Sequence, residues 1–238
     1  MDTIYNKLVN LNSDCCFSDK IKESAKFSEL VNLLSDVRMY HNFLYCILDN
    51  YDIILSNTLN SDKKHILNQR VFEMLSDLDN NKDDTYNKFN YNEKVFPCKK
   101  IQESFQLSLK NKKLLSTIYY LNDLYETHFV LVDMKNKEYC ETCLKKYPKK
   151  YLNCSDSNFS LNDTIDDSFI RVDDSNIFEK DIKKSIYKQY LKGIGNYRME
   201  ELKQIAIDLN IPIYENNKIR KKQNIYNDIN LNQLNLIN

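Results

Sequence analysis

Apolar residues in the first third of the chain recur at helical spacing. Leu30, Leu34, Val37, Leu44, Leu48 and Tyr51 share one helical face, with Ser18 or Asp19 as a starting cap. Ser61 starts a second helix, whose buried side holds Ile66, Val71, Met74, Leu75 and Leu78. The polar stretch 79–92 has no apolar period and is expected to be a loop. Past Pro97, Leu114, Ile118, Leu121 and Tyr125 return every third or fourth residue, which predicts an amphipathic helix over Leu114–Tyr125. The pattern then switches. Thr127–Val132 is a β-branched and aromatic run that predicts a strand, Met134–Lys137 fits a turn, and Glu138–Cys143 fits a return strand. A lone hairpin is marginal in water, so this one is expected to pack on the preceding helix or to join further strands.

Residues 154–181 are rich in Asp, Ser and Asn, with isolated Phe159, Phe169 and Phe178. They read as an extended acidic linker whose aromatics pin it to the body. A helix is predicted through Ile177–Tyr190, and Gly193-Ile194-Gly195 breaks it. Asn196 is placed to cap the next helix, where Leu202, Ile205, Ala206 and Leu209 form a narrow apolar stripe. Pro212 ends that helix. A loop over Tyr214–Arg220 leads into a short helix from about Lys221 through Ile225 and Ile229. The pattern therefore predicts a helix-dominated α+β protein in four parts. These are a helical unit over 1–94, a helix plus β-hairpin unit over 95–153, an acidic linker over 154–181 and a helical tail over 182–238.

Composition narrows the classes. Apolar residues make up 42% of the chain, enough for a core, and no apolar run reaches the length of a membrane span. The first residues lack a basic region followed by an apolar stretch, so no signal peptide is expected, and the chain is not expected to be secreted. Seven cysteines, an odd number at irregular spacings, fit free thiols in a reducing compartment. With only two glycines, Gly193 and Gly195, the sequence has no Walker loop and no dinucleotide fingerprint. No cofactor or small-molecule ligand is expected.

The net charge of zero hides segregation. Residues 1–94 carry −4, 95–153 carry +5, 154–181 carry −6 and 182–238 carry +5. Two runs concentrate the positive charge. One holds Lys145, Lys146, Lys149 and Lys150, interleaved with Tyr147 and Tyr151. The other holds Lys218, Arg220, Lys221 and Lys222 just before a helix. Lysines neutralise phosphates, tyrosines stack on bases or sugars, and a helix amino end offers free amides to an anion. These eight cations are the candidate nucleic-acid contacts.

Two cysteine constellations invite chemistry. Cys140 and Cys143 form a C-x-x-C pair, but residues three apart on a strand face opposite sides, so the sulfurs should diverge and no metal is expected. If Asp133 pairs with Glu138, the register sets Cys143 opposite His128, an arrangement that can supply a nucleophile and its base. Asp133 would project to the other face, and no third partner is visible. The pair is read as a half-buried cross-strand contact, with no catalytic residue assigned.

The tail carries a resemblance. Arg198-Met199-Glu200-Glu201-Leu202-Lys203-Gln204-Ile205-Ala206, then Leu209-Asn210-Ile211, then Lys221 through Ile229 resemble the SAP and Rho N-terminal helix–loop–helix motifs, with a longer loop that lacks glycine. The match covers about 35 residues and implies a small nucleic-acid-binding module. A broader pattern runs through Leu115–Asp123, His128–Asp133, Tyr147-Pro148-Lys149 and Leu191–Tyr197. It resembles uncharacterised proteins of nucleocytoplasmic large DNA viruses over residues 95–238. That resemblance implies a viral protein of the host cytoplasm (the viral factory) or the virion. The expected function is non-enzymatic binding of DNA through the basic tail. The alternative is a virion structural or adaptor protein that docks other viral proteins. A third reading, an enzyme using His128 and Cys143, would show turnover sensitive to thiol alkylation.

Overall fold

In a computed structural model of the protein, residues 42–155 and 158–236 are described, and they belong to one compact unit. Of the helical row expected from Leu30 through Tyr51, the part through Val37 lies outside them. Among the described residues the chain forms α1 (Phe43–Tyr51), α2 (Ile53–Ser56), α3 (Lys63–Asn80), α4 (Lys82–Phe89), α5 (Cys98–Leu109) and α6 (Leu115–Leu124). Five strands follow: β1 (His128–Asp133), β2 (Glu138–Cys140), β3 (Lys149–Ser155), β4 (Asn158–Asn162) and β5 (Ile170–Val172). The tail adds α7 (Met199–Asp208), a hairpin of β6 (Tyr214–Glu215) and β7 (Lys218–Ile219), and α8 (Lys222–Leu234). The helix-dominated α+β class is what the structure shows. No helix among the described residues is long and apolar enough to cross a membrane.

The first two of these helices, α1 and α2, start at side-chain caps. The Asn42 side chain accepts from the Leu44 amide at 2.9 Å and starts α1, and Asp52 accepts from the Ile54 and Leu55 amides to start α2. On α3, Leu67, Val71, Leu75 and Leu78 are buried, and the expected Ile66 and Met74 sit at the rim. The stretch 79–92, expected as a loop, contains α4. Its signal is short: Tyr86 and Phe89, three apart, are the buried pair, and Tyr86 Oη donates to the Phe96 carbonyl.

Among the described residues, five of the seven held at positive φ are asparagines, at 90, 111, 210, 216 and 217; Glu126 and Lys137 are the others. Left-handed turns normally call on glycine, which this chain nearly lacks, and asparagine is the side chain that best tolerates them. The abundance of Asn therefore has a structural use at helix ends such as Asn90, which closes α4.

The sheet order is β4-β3-β1-β2-β5. β1 pairs antiparallel with β2, and Asp133 opposes Glu138 as the sequence predicts. The return strand ends at Cys140, short of Cys143. β1 pairs in parallel with β3 over its whole length, from His128 beside Lys149 to Asp133 beside Cys154. Residues 154–181, expected to be a linker, instead finish β3 and supply β4 and β5. Phe159 and Phe178 are buried, each edge-on to Phe43 with ring centroids 6.0 and 4.9 Å away. The acidic charge of that segment is partly paired. Asp163 meets Lys150, Asp174 meets Lys180, and Asp181 meets Lys100 at 2.9 Å while capping α6 through the Ser116 amide and hydroxyl. Ile177–Tyr190 is not a helix. Its polar atoms bond across to other segments, with Asn92 N donating to Ile186 O, Lys188 N to Asn90 O and Glu179 N to Lys113 O.

Because β2 and β3 flank β1 on opposite sides, residues 141–148 must cross the amino end of β1. Several bonds pin this crossing. Asn122 donates to Thr142, whose hydroxyl donates to the Phe129 carbonyl, and His128 N donates to the Pro148 carbonyl at 2.8 Å. Deeper in, Lys145 reaches Asp123 at 3.0 Å, with side chains 1% and 0% exposed. Tyr147 and Tyr187 hydroxyls donate to the same carboxylate, and Lys145 also donates to the Phe89 carbonyl. The ammonium stands 5.1–5.7 Å from the ring centroids of Phe89, Tyr147 and Tyr187. Burial pushes the Asp123 carboxyl above its ordinary range, and Lys145 and the Tyr187 hydroxyl limit that rise.

In the tail, Leu202 and Ala206 of α7 pack with Ile225, Tyr226 and Ile229 of α8, with Leu191 and Ile211 closing the cluster. The expected stripe is present, but Ile205 and Leu209 lie at its edge. Arg198, rather than Asn196, precedes α7, and its amide donates to the Glu201 carboxylate.

A buried ion pair is costly to break and cheap to replace as a pair. Lys145→Met should therefore lower unfolding free energy by about 3–5 kcal/mol. The double change Asp123→Asn with Lys145→Met should recover most of that loss in urea titrations. Equal losses in the two proteins would show that the charge pair is not what holds the crossing.

Candidate nucleic-acid interface

The structure divides the eight expected cations. Lys145 is removed from the surface, because it is the buried partner of Asp123. Lys149 pairs with Glu141 at 2.7 Å, a carboxylate shared with Arg171, and Lys150 pairs with Asp163. Of the first run, Lys146 remains exposed and has no carboxylate partner among the described residues. Its amide donates to the Asn235 side chain at the end of α8.

The second run is assembled by a turn. Asn216 and Asn217, at φ 50° and 61°, give the left-handed pair that a tight two-residue hairpin needs, so Tyr214 faces Ile219 and Glu215 faces Lys218. Segment 214–220, expected as a loop, is this hairpin. Arg220 fastens it down: its guanidinium pairs with Asp228 on α8 and donates to the Pro212 carbonyl at 2.7 Å, and its amide donates to the Ile213 carbonyl. Arg220 is thus a structural clamp.

Lys218, Lys221 and Lys222 carry no carboxylate partner among the described residues, and Lys218 and Lys221 are exposed. Lys221 is the N-cap of α8 and offers no side-chain acceptor; the Asn224 and Ile225 amides donate to its carbonyl, and no acceptor among the described residues takes the Lys222 or Gln223 amide. Tyr214 is 60% exposed and Ile219 52%, a flat apolar pair next to the charge. Lys146 lies at the other end of α8. A helix of 13 residues spans about 20 Å, so the two basic sites are separate contact points on one element.

One cationic segment was not singled out from the sequence. Residues 182–199 hold Lys183, Lys184, Lys188, Lys192 and Arg198 and no carboxylate, and all five side chains are exposed. The signal was legible as a charge count, but the helix expected there hid its spread along an extended strap. The strap runs beside α8: Leu191 N donates to Asn230, and Tyr226 Oη donates to the Lys192 carbonyl.

The cysteine constellations have other roles. His128 Nε2 accepts from the amides of Thr142 and Cys143 at 3.1 and 3.2 Å, so the ring meets the backbone of Cys143 and not its thiol. Burial drives the His128 pKa down to about 4 and the Cys143 thiol up to about 11. At neutral pH the imidazole is an acceptor, and the thiol holds its proton. Cys140 Sγ donates toward the carbonyls of Glu141 and Asp173, while Cys143 Sγ accepts from the Lys145 amide. Among the described residues the cysteines are free, and no group of three or more His, Cys, Asp or Glu side chains could hold a metal ion. Comparison with protein-family models, curated proteins and solved structures finds no match to the chain.

The His128 geometry sets a pH dependence. A folded pKa near 4, against about 6.5 when unfolded, means that protonation favours the unfolded chain. The contribution is complete above the unfolded pKa and is lost as pH falls towards the folded one. Between pH 7 and 4.5 the wild type should lose about 2.5 kcal/mol more stability than His128→Gln, which keeps an acceptor but does not titrate. Parallel losses in urea titrations of the two proteins would contradict the assigned hydrogen bonds.

Proposed function

We propose that the protein is a non-enzymatic DNA-binding protein that holds the phosphate backbone of duplex DNA with its C-terminal helices and hairpin. The observation that carries this reading is the cluster of Lys218, Lys221 and Lys222 at the amino end of α8, none of them in an ion pair among the described residues, with Glu215 facing Lys218 across the hairpin. Exposed Tyr214 and Ile219 give the cluster an apolar shoulder for sugars or bases, and the lysines of the 182–199 strap and Lys146 extend the positive surface. The sequence resemblance to SAP and Rho N-terminal motifs, and to proteins of nucleocytoplasmic large DNA viruses, agrees with such a role in a viral factory or virion. Because the contacts are lysines at a helix end and on a short hairpin, binding should depend little on base sequence.

The exposed Tyr214–Ile219 pair also favours a second reading, in which the tail docks another viral protein as part of a virion scaffold. Salt separates the two. If Lys218, Lys221 and Lys222 each neutralise a phosphate, log affinity should fall against log salt with a slope of roughly −3. Changing the three to Ala should remove most of the binding and most of that slope in direct titration of duplex DNA at low salt. Arg220 is left intact in that variant because it clamps the hairpin. Equal binding by the two proteins, or none by either, would sink the DNA reading and shift the weight to the adaptor.

A further inference from the structure

The long parallel pair, β1 and β3, ends with Asp133 beside Cys154, and there the two chains part. β1 turns to β2 on one side, and β3 turns to β4 on the other. Diverging exits at the carboxyl ends of parallel neighbours leave a crevice, which is where open sheets collect ligands. A pocket of about 230 Å³ lies at this point. Lys113 and Lys135 bring positive charge to it, Ser155 and Asn158 bring a hydroxyl and an amide, and Phe159 and Ile177 supply an apolar wall.

Among the described lining residues, two lysines face one carboxylate. Asp133 is the one carboxylate among its described lining residues, and its oxygens already accept from the Lys135 and Asn136 amides and from Asn136 Nδ2, at 3.0, 3.1 and 2.9 Å. Lys113 is half-buried with its ammonium 5.1 Å from the Phe159 ring centroid, and no carboxylate pairs with it among the described residues. Its neighbour Lys112 takes Glu179 at 3.2 Å. A partly desolvated ammonium resting only on a ring retains donors for an anion.

We propose that this pocket binds a small organic anion, a phosphomonoester or carboxylate carried on a flat apolar group. The anionic oxygens would meet Lys113, Lys135, the Ser155 hydroxyl and the Asn158 amide, with the apolar part against Phe159 and Ile177. The volume lies below that of most drug-sized sites, so the apolar part is limited to about one ring. The site is separate from the C-terminal lysines and stands whether or not they bind DNA.

The test is titration of phenyl phosphate into the ¹⁵N-labelled full chain, followed by NMR. Saturable shifts of the Ser155, Asn158 and Phe159 amides are expected, with a dissociation constant of about 1 mM or tighter. Benzyl alcohol, which keeps the ring and drops the charge, should not saturate. Lys113→Met keeps the side chain's stem over Phe159 and should weaken binding by about tenfold or more. Lys135→Ala, on an exposed turn, should weaken it independently. The variant with Lys218, Lys221 and Lys222 changed to Ala should bind phenyl phosphate unchanged. Absence of saturation by about 10 mM, unaltered binding in Lys113→Met, or shifts confined to the C-terminal lysines would each overturn the proposal.

Discussion

The pairing of Lys145 with Asp123 is the contact on which the rest of the sheet depends. A chain that forms the β1–β2 hairpin and then places β3 on the far side of β1 must carry residues 141–148 across the start of the central strand. Without fixed points such a crossing would leave backbone amides unpaired and the parallel register undefined. Three anchors supply the fixed points. His128 receives the amides of Thr142 and Cys143, Asn122 receives the Phe129 amide, and Lys145 enters the core to meet Asp123. The tyrosine hydroxyls complete the coordination of the carboxylate, and aromatic rings surround the ammonium. The cation comes from a stretch whose neighbours, Leu144 and Lys146, face solvent.

The same logic explains why the tail presents charge outward. Arg220 is spent on Asp228 and on the Pro212 carbonyl, which fixes the hairpin against α8. Among the described residues, Lys218, Lys221 and Lys222 then form no ion pair beside the hairpin that Arg220 holds. One guanidinium is bound within the fold, and three ammoniums beside it are not paired among the described residues. The difference follows side-chain chemistry, because the planar fork of arginine suits a fixed carboxylate and carbonyl, whereas lysine serves as a mobile point charge.

Much of this was legible in the residues. The apolar rows of α3, α6 and α7, the strand from His128, the Asp133–Glu138 register and the two-helix tail all follow from local periodicity, which is strong when one face is buried along a whole element. Long-range facts were not legible. Residues 154–181 look like a linker because their strands are short and polar on the outer face; only pairing with β2 and β3 makes them strands. Lys145 looks like one member of a basic run because sequence cannot show that Asp123, Tyr147 and Tyr187 converge on it. The site followed the same division. The lysines at the start of α8 were visible from their position before a helix. The pocket at the end of β1 and β3 depends on a parallel pairing that no local pattern encodes, and Lys113 precedes a helix far from either strand in the chain.

The strand order also bears on how fast the molecule can form. β1 with β2, and β3 with β4, are neighbours in sequence joined by short connections, and hairpins of that kind close in microseconds. The parallel seam between β1 and β3, by contrast, is non-local, and forming it takes a charged lysine out of water to Asp123. Topologies rich in such non-local pairings pay for them in rate. The central strand β1 is paired along both edges in the finished sheet, so a chain that lacked the seam would leave one edge of β1 and one of β3 open.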